Sequence, residues 1–256
     1  MMFPGQALGR DILGQASRLR EYTTADALRF ARTYYQPRHA AFYVYGDVSF
    51  RTVVRTLERL TSDFAAAEPQ LPASQPVTVP PVPAEPLREV SKQTHQAHVL
   101  VGAHTFGGTD NRRFALTLLN NMLGGPGMNS RLNISLREKA GLVYSVDSYL
   151  NTYPDAGFWN VYFGCDAHDV ARCRRLLLRE LRRFIDNPLT ESQLRAAKKQ
   201  LLGQIGISTD APEAYSLALG KTFAHYNRYR DIAALCSSIA QVTARSVQEV
   251  AAEVYA

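Results

Sequence analysis

The sequence predicts an α+β fold, a sheet with flanking helices in two related lobes, the first of them incomplete. Three observations carry this reading. TTADALRFARTYY from Thr23 is echoed by TARSVQEVAAEVY from Thr243, with Thr23 matching Thr243, Ala31 matching Ala251 and Tyr35 matching Tyr255. Such self-similarity inside one chain marks a repeated structural unit. Between the two copies, Pro69, Pro72, Pro76, Pro80, Pro81, Pro83 and Pro86 crowd a stretch of otherwise small residues, the composition of a semi-rigid linker. Beyond it, runs of period two give way to long runs of period 3.6, the pattern of strands followed by packed helices. The expected organisation is 1–64 as the last part of a first domain, 65–86 as linker, and 87–256 as a second, related domain.

The elements follow in order. Leu8 to Leu19 reads as loop. Thr23 opens a helix whose stripe Leu28, Ala31, Tyr34 and Tyr35 stops before Pro37, because the residue ahead of a proline is pushed out of the helical region. His39 to Val48 is rich in β-formers and predicts a strand. Ser49 caps the next helix, which should bury Val53, Val54, Leu57, Leu60 and Phe64. Arg88 to Thr105 reads as a long strand, and Phe114 to Leu123 as a helix capped by Asp110. Val143–Leu150 and Gly157–Cys165 alternate as two strands, joined through Pro154 and Asp155 as a hairpin. Helices are then expected at Asp169 to Ile185, at Thr190 to Ile207 with a Thr190/Gln193 capping box, from Pro212 to about Tyr226, and at Asp231 to Ile239 and Ser246 to Tyr255.

The stretch from Asn120 to Leu150 holds the candidate site. Gly124, Gly125, Pro126 and Gly127 end the incoming helix, since neither glycine nor proline continues one. They read either as a flexible corner beside bound substrate or as plain helix termination. A short helix from Arg131 to Lys139 stops at Gly141. Arg137 and Tyr144 therefore flank one tight helix-to-strand corner. A guanidinium fork and a phenol held by a short turn suit a peptide carbonyl or an oxyanion.

The net charge of +6 lies largely on helix faces (Arg172, Arg174, Arg175, Arg179, Arg182, Arg183), laced with Glu180 and Asp186. This reads as a solvated face. With no aromatic interleaving and no reading motif, nucleic acid is excluded as a partner. No apolar run is long enough for a membrane span. The opening Met1-Met2-Phe3-Pro4-Gly5 looks like internal text behind a start codon, and the chain reads as a soluble protein of a bacterial cytoplasm or periplasm. Cys165, Cys173 and Cys236 form no CxxC pair and suggest buried free thiols. His95, His98 and His104 look like a metal cluster, yet on a strand His95 points away from the other two, and no carboxylate completes the set.

FPGQALGRDILG, Tyr34-Tyr35 through Gly46-Asp47, QAHVLVGAHTFGGTDNRRFALTLLNNMLGG and SRLNISLREKAGLVYSV together resemble the pitrilysin/insulinase family of zinc metallopeptidases, which includes mitochondrial processing peptidase. The resemblance covers nearly the whole chain and is most specific in the last segment. It implies paired α+β domains of the LuxS and processing-peptidase type, closing like a clamshell on an extended peptide. It implies an inverted zinc motif, His-x-x-Glu-His, in the first domain, and an Arg/Tyr pair in the second that falls on Arg137 and Tyr144. None of His39, His95, His98, His104, His168 and His225 has Glu at +3 and His at +4. No catalytic residue, metal ligand or cofactor is therefore expected in this chain. Zinc is expected in an upstream domain of the same protein or in a partner chain, as a homo- or heterodimer. Two functions follow from the resemblance. One is the substrate-binding half of a zinc endopeptidase that acts on peptides or unfolded polypeptides. The other is a catalytically inactive partner subunit or structural core protein.

Overall fold

The computed structural model describes residues 2–64, 77–78, 87–92 and 94–256. The expected linker at 65–86 thus lies almost wholly outside the described residues. The chain packs as two compact units. One comprises Met1–Pro4, Val77–Gln204 and Ile232–Ala256, and the other Gly5–Pro76 and Ile205–Asp231.

The unit containing Gly5–Pro76 is helical in its described part. After a one-turn α1 (Ala16–Leu19), α2 spans Thr24–Tyr34 behind a capping box. The Asp26 amide donates to Thr23 Oγ1 at 3.3 Å, and the Thr23 amide donates to an Asp26 carboxylate oxygen at 2.9 Å. Two orphan amides are thereby satisfied together. The hydrogen bonds from Thr23, with help from Arg29, hold the Asp26 carboxyl down at about 2. α3 (Phe50–Thr61) starts under Ser49, whose hydroxyl accepts from the Thr52 amide at 3.2 Å. Neither helix buries a residue completely. Leu60 and Phe64, expected inside, are 65% and 49% exposed. The expected strand from His39 to Val48 does not form. Pro37–His39 makes a single 3-10 turn, and no strand is present among the described residues of this unit. Strand-forming residues cannot hold a strand without a neighbouring backbone to pair with.

The other unit is built on a three-stranded antiparallel sheet in the order β1-β3-β2. β1 is Ala97–Thr105; the backbone ahead of it, from Arg88, stays irregular. α4 (Arg113–Gly124) follows. Asp110 does not cap it as expected: the N-cap is Arg112, without a side-chain cap bond, and Asp110, two residues ahead of that, accepts from the Arg112 amide at 2.8 Å, as an Asx turn leading into the helix. β2 is Val146–Thr152 and β3 is Gly157–Cys165. They pair as the expected hairpin, Thr152 opposite Gly157. The turn closes with the Tyr153 amide donating to the Ala156 carbonyl at 2.8 Å. β1 pairs on the far side of β3, from Ala97 opposite Cys165 to Thr105 opposite Gly157.

The core lies on one face of this sheet. Trp159, Val161, Phe163 and Cys165 alternate along β3 and are each at most 2% exposed. Leu116, Leu118, Leu119 and Leu123 of α4 are buried with them, each contributing roughly 1.5–3 kcal/mol on the usual transfer scale. α5 (Val170–Asp186) adds Cys173, Leu177, Leu181 and Phe184, a stripe at helical spacing. α6 (Glu191–Thr209) opens with the expected box: the Gln193 amide donates to Thr190 Oγ1 and the Thr190 amide to Gln193 Oε1. α7 (Pro212–Tyr226) belongs to the other unit, and α8 (Ile232–Ala240) to this one. α9 (Ala244–Tyr255) closes the sheet unit behind a Thr243/Ser246 capping box and buries Val247, Val250, Ala251 and Val254. The echoed stretches therefore form α2 and α9, each capped by threonine with the same reciprocal pair of hydrogen bonds.

Two of the three cysteines are buried free thiols; Cys236 is only partly buried. Burial raises the Cys165 thiol and drives Cys173 up to about 12. At pH 8 a thiol with that value is ionised in roughly one molecule in ten thousand, and the thiolate is the reactive form. Maleimide should label Cys236 alone in the native protein and all three cysteines in denaturant, read by intact-mass spectrometry. Rapid native labelling of Cys173 would contradict this packing.

Candidate functional site

The candidate site is the corner between α4 and β2. α4 ends where the Gly125 amide donates to the Asn121 carbonyl at 3.1 Å. Gly124 is buried, and a Cβ there would lie 2.7 Å from Ser148 Cβ and 3.0 Å from the Ser148 amide nitrogen. Glycine at this point lets the helix end rest directly on β2. The contact is pinned by a chain of hydrogen bonds. Trp159 Nε1 donates to Ser148 Oγ at 2.8 Å, Ser148 Oγ donates to Asn120 Oδ1 at 2.6 Å, and Asn120 Nδ2 donates to the Ser148 carbonyl at 3.2 Å. Helix termination and close packing account for Gly124.

The chain then turns through Gly127, whose carbonyl accepts from the Ser130 amide, and enters a helical segment that widens to π geometry over Asn133–Glu138. The Lys139 amide reaches five residues back to the Ile134 carbonyl at 3.0 Å. Such widened turns recur at functional positions. Leu132 and Leu136 anchor the segment in the core, both fully buried. Gly141 takes φ 62°, and its amide donates to the Arg137 carbonyl, while that of Leu142 donates to the Leu136 carbonyl, both at 3.0 Å. The left-handed residue ends the helix as expected of glycine. Val143 plugs back into the core at 7% exposure, and Tyr144 swings out at 89%. β2 begins two residues later than Tyr144, because the backbone from Gly141 to Ser145 is spent leaving the helix.

Arg137 and Tyr144 thus flank this corner, seven residues apart in the chain. The Arg137 Nε lies 3.7 Å from a Glu138 carboxylate oxygen, with both side chains about half exposed. No hydrogen bond among the described residues joins Arg137 to Tyr144. Among the described residues, that approach to Glu138 is the one polar contact of the Arg137 guanidinium, and none is made by the Tyr144 hydroxyl. Donors in this state can be turned toward an external acceptor.

The histidines of β1 are engaged in the fold. His98 Nδ1 lies 2.7 Å from the Tyr162 hydroxyl, and His104 Nε2 lies 2.6 Å from the Met2 carbonyl. Asp166, His168 and Asp169 place ligand atoms within 4.8 Å of one another in the turn before α5. His168 is 79% exposed, and acidic groups of this kind are ordinary at a helix start. The chain's residues do not fit an inverted zinc motif, as its sequence shows.

The charge pattern on α5 misled in one respect. Glu180 was expected on a solvated face, yet it is 3% exposed. It accepts from Arg183 Nη1 at 2.9 and 3.2 Å. The Glu180-to-Arg183 spacing was the available signal, but surface helices carry the same spacing.

The family described as Peptidase M16 inactive domain matches residues 21–201. An uncharacterized zinc protease of Streptomyces coelicolor is 32% identical across 99% of this chain and 56% of its own length. Another from Bacillus subtilis is 24% identical across 99% of this chain and 60% of its own. The chain spans little over half the length of these relatives. Among solved structures, a protease from Helicobacter pylori superposes with a TM-score of 0.81 over 95% of this chain and 59% of that one, at 15% identity. A peptidase M16 inactive domain from Pseudomonas fluorescens does so at 0.76 over 99% and 60%, at 22% identity. The chain belongs to the peptidase M16 family and carries the domain of that family described as inactive.

Proposed function

We propose that this chain is the substrate-binding half of a zinc-dependent metalloendopeptidase, in which Arg137 and Tyr144 hold peptide backbone beside the scissile bond. The observation that carries the reading is the corner itself. A glycine-stopped π-helical segment ends in a corner flanked by Arg137, whose half-exposed guanidinium makes only a 3.7 Å approach to Glu138, and by Tyr144, which is 89% exposed. The zinc, which would supply an activated water, belongs in this reading to a His-x-x-Glu-His domain of the same protein or of a partner chain.

Residues 1–64 would then be the tail of that zinc-type domain, 65–86 the linker and 87–256 the second domain, whose Ile205–Asp231 stretch is grouped with Gly5–Pro76 and not with the sheet unit. The repeat supports this arrangement. The α9 face Val247, Val250, Ala251 and Val254 is buried on the sheet unit. Its counterpart on α2, Ala27, Phe30, Ala31 and Tyr34, is left partly or fully exposed. An apolar face of this kind suits a sheet layer contributed by a zinc-bearing domain.

By itself the 256-residue chain should neither bind stoichiometric zinc nor hydrolyse peptides. Elemental analysis of the purified chain, with a quenched-fluorescent peptide assay before and after addition of a zinc-bearing partner, tests this. Stoichiometric zinc held by this chain's own side chains would overturn it. Turnover that is identical with and without this chain would favour the alternative, an inactive partner subunit or structural core protein.

A further inference from the structure

Against the same helical segment, with neither Arg137 nor Tyr144 in its lining, lies a cavity of about 480 Å³. Its walls are the segment around Ser135, the C-terminal half of α5, and the connection into α6. Four cations line it, Arg131, Lys139, Arg179 and Arg183, against one carboxylate, Glu180. Glu180 is already served: Arg183 donates to both its oxygens, and Arg179 Nε lies 3.8 Å away. Arg131 Cζ lies over the Phe184 ring, 3.7 Å from its centroid. Its burial makes it a weaker base, Glu180 partly offsets this, and Arg183 adds to it. Ser135 is 8% exposed, and its hydroxyl has no hydrogen-bond partner among the described residues. A wall with this excess of positive charge and an unmet hydroxyl calls for an anion carrying several acceptor oxygens.

We propose that this cavity binds an acidic segment of a peptide, with glutamate or aspartate side chains on Arg131, Lys139 and Arg179. A phosphate ion would use the cations alone. The cavity also offers apolar surface from Ile134 and Pro188, and the side-chain amides of Asn187 and Gln193. Methylene stems and backbone amides of a peptide use those groups, and a bare polyphosphate does not. The volume is that of an ordinary ligand pocket, room for a few residues. Arginine forks match carboxylates in two-point contact. The proposal rests on reading this domain as the peptide-holding half, and adds to it a preference for acidic sequence away from the scissile bond.

Fluorescence anisotropy on the full 256-residue chain tests it. The probes are a labelled, amidated octapeptide containing four glutamates and its glutamine twin, with inorganic pyrophosphate as competitor. The glutamate peptide should bind at least about tenfold more tightly than its twin, and the difference should shrink as salt rises. Lys139→Gln with Arg179→Gln should abolish most of that difference at an unchanged thermal midpoint, since both side chains are exposed. Arg172→Gln with Arg174→Gln, an equal loss of charge on α5 outside the cavity, should leave it intact. Equal affinity for the two peptides would overturn the proposal. So would equal losses in the two double variants, or binding of pyrophosphate without the peptide. Backbone contacts at the corner act on both peptides alike, so the glutamate-over-glutamine difference reports the cavity alone, and a failure of the scissile-bond reading would show in turnover and not in that difference.

Discussion

Trp159→Ala should lower the thermal midpoint of the sheet unit by roughly 6–20 °C, the equivalent of about 3–5 kcal/mol lost from a core site. Trp159 is 2% exposed on β3, the middle strand. Its ring packs on Tyr255 of α9 with centroids 4.5 Å apart, and its indole N–H holds Ser148 of β2, which in turn holds Asn120 of α4. One side chain thus joins two strands and two helices, and removing it leaves a void that none of the four can fill without breaking its other contacts. Trp159→Phe keeps most of the volume but loses the N–H donor and part of the ring, so it should cost less than the alanine change, about 1–3 kcal/mol. Circular dichroism melts measure both; fluorescence does not serve, because Trp159 is the chain's single tryptophan. A shift under about 2 °C for the alanine variant would mean that the bridge is not where the stability lies.

That bridge shows which parts of the fold can be read from sequence. The helices from α4 onward declare themselves because their signals are local. Apolar stripes recur at helical spacing, and the Thr23, Thr190 and Thr243 caps each find a partner three residues on. The β2–β3 hairpin is local too, with four residues between Thr152 and Gly157. His39 to Val48 has the composition of a strand but not the company: a ladder needs a second backbone, and composition does not say whether one is supplied. Glu180 shows the same limit for charge. It is 3% exposed although it sits between Arg179 and Arg183, so its sequence neighbourhood resembles any arginine-rich surface helix. The π widening over Asn133–Glu138 has no local signature either; it follows from fitting Leu132 and Leu136 into the core while Gly141 returns the chain to the sheet. Arg137 and Tyr144 were legible as a pair because the stop between them is written as a glycine.

Arg137→Ala and Tyr144→Phe should each lower turnover by roughly ten- to a thousandfold once this chain works with a zinc-bearing domain, on the scale of a lost oxyanion donor. Neither should move the thermal midpoint by more than about 0.5 kcal/mol in stability, since both are exposed tips. Arg137 loses only a 3.7 Å approach to Glu138, itself half in water, and Tyr144 is 89% exposed. The kinetic pattern separates two roles. Donors that tighten on the developing oxyanion should reduce kcat and kcat/KM together, whereas donors that merely hold peptide should raise KM and leave kcat alone. Arg137→Lys keeps the charge without the planar fork, so it should restore part of what alanine loses if a point charge suffices, and almost nothing if two-point contact is required. Turnover unchanged in both Arg137→Ala and Tyr144→Phe would remove the pair from the reaction. A collapse of the thermal midpoint in both would mean that they hold the corner together and not the substrate.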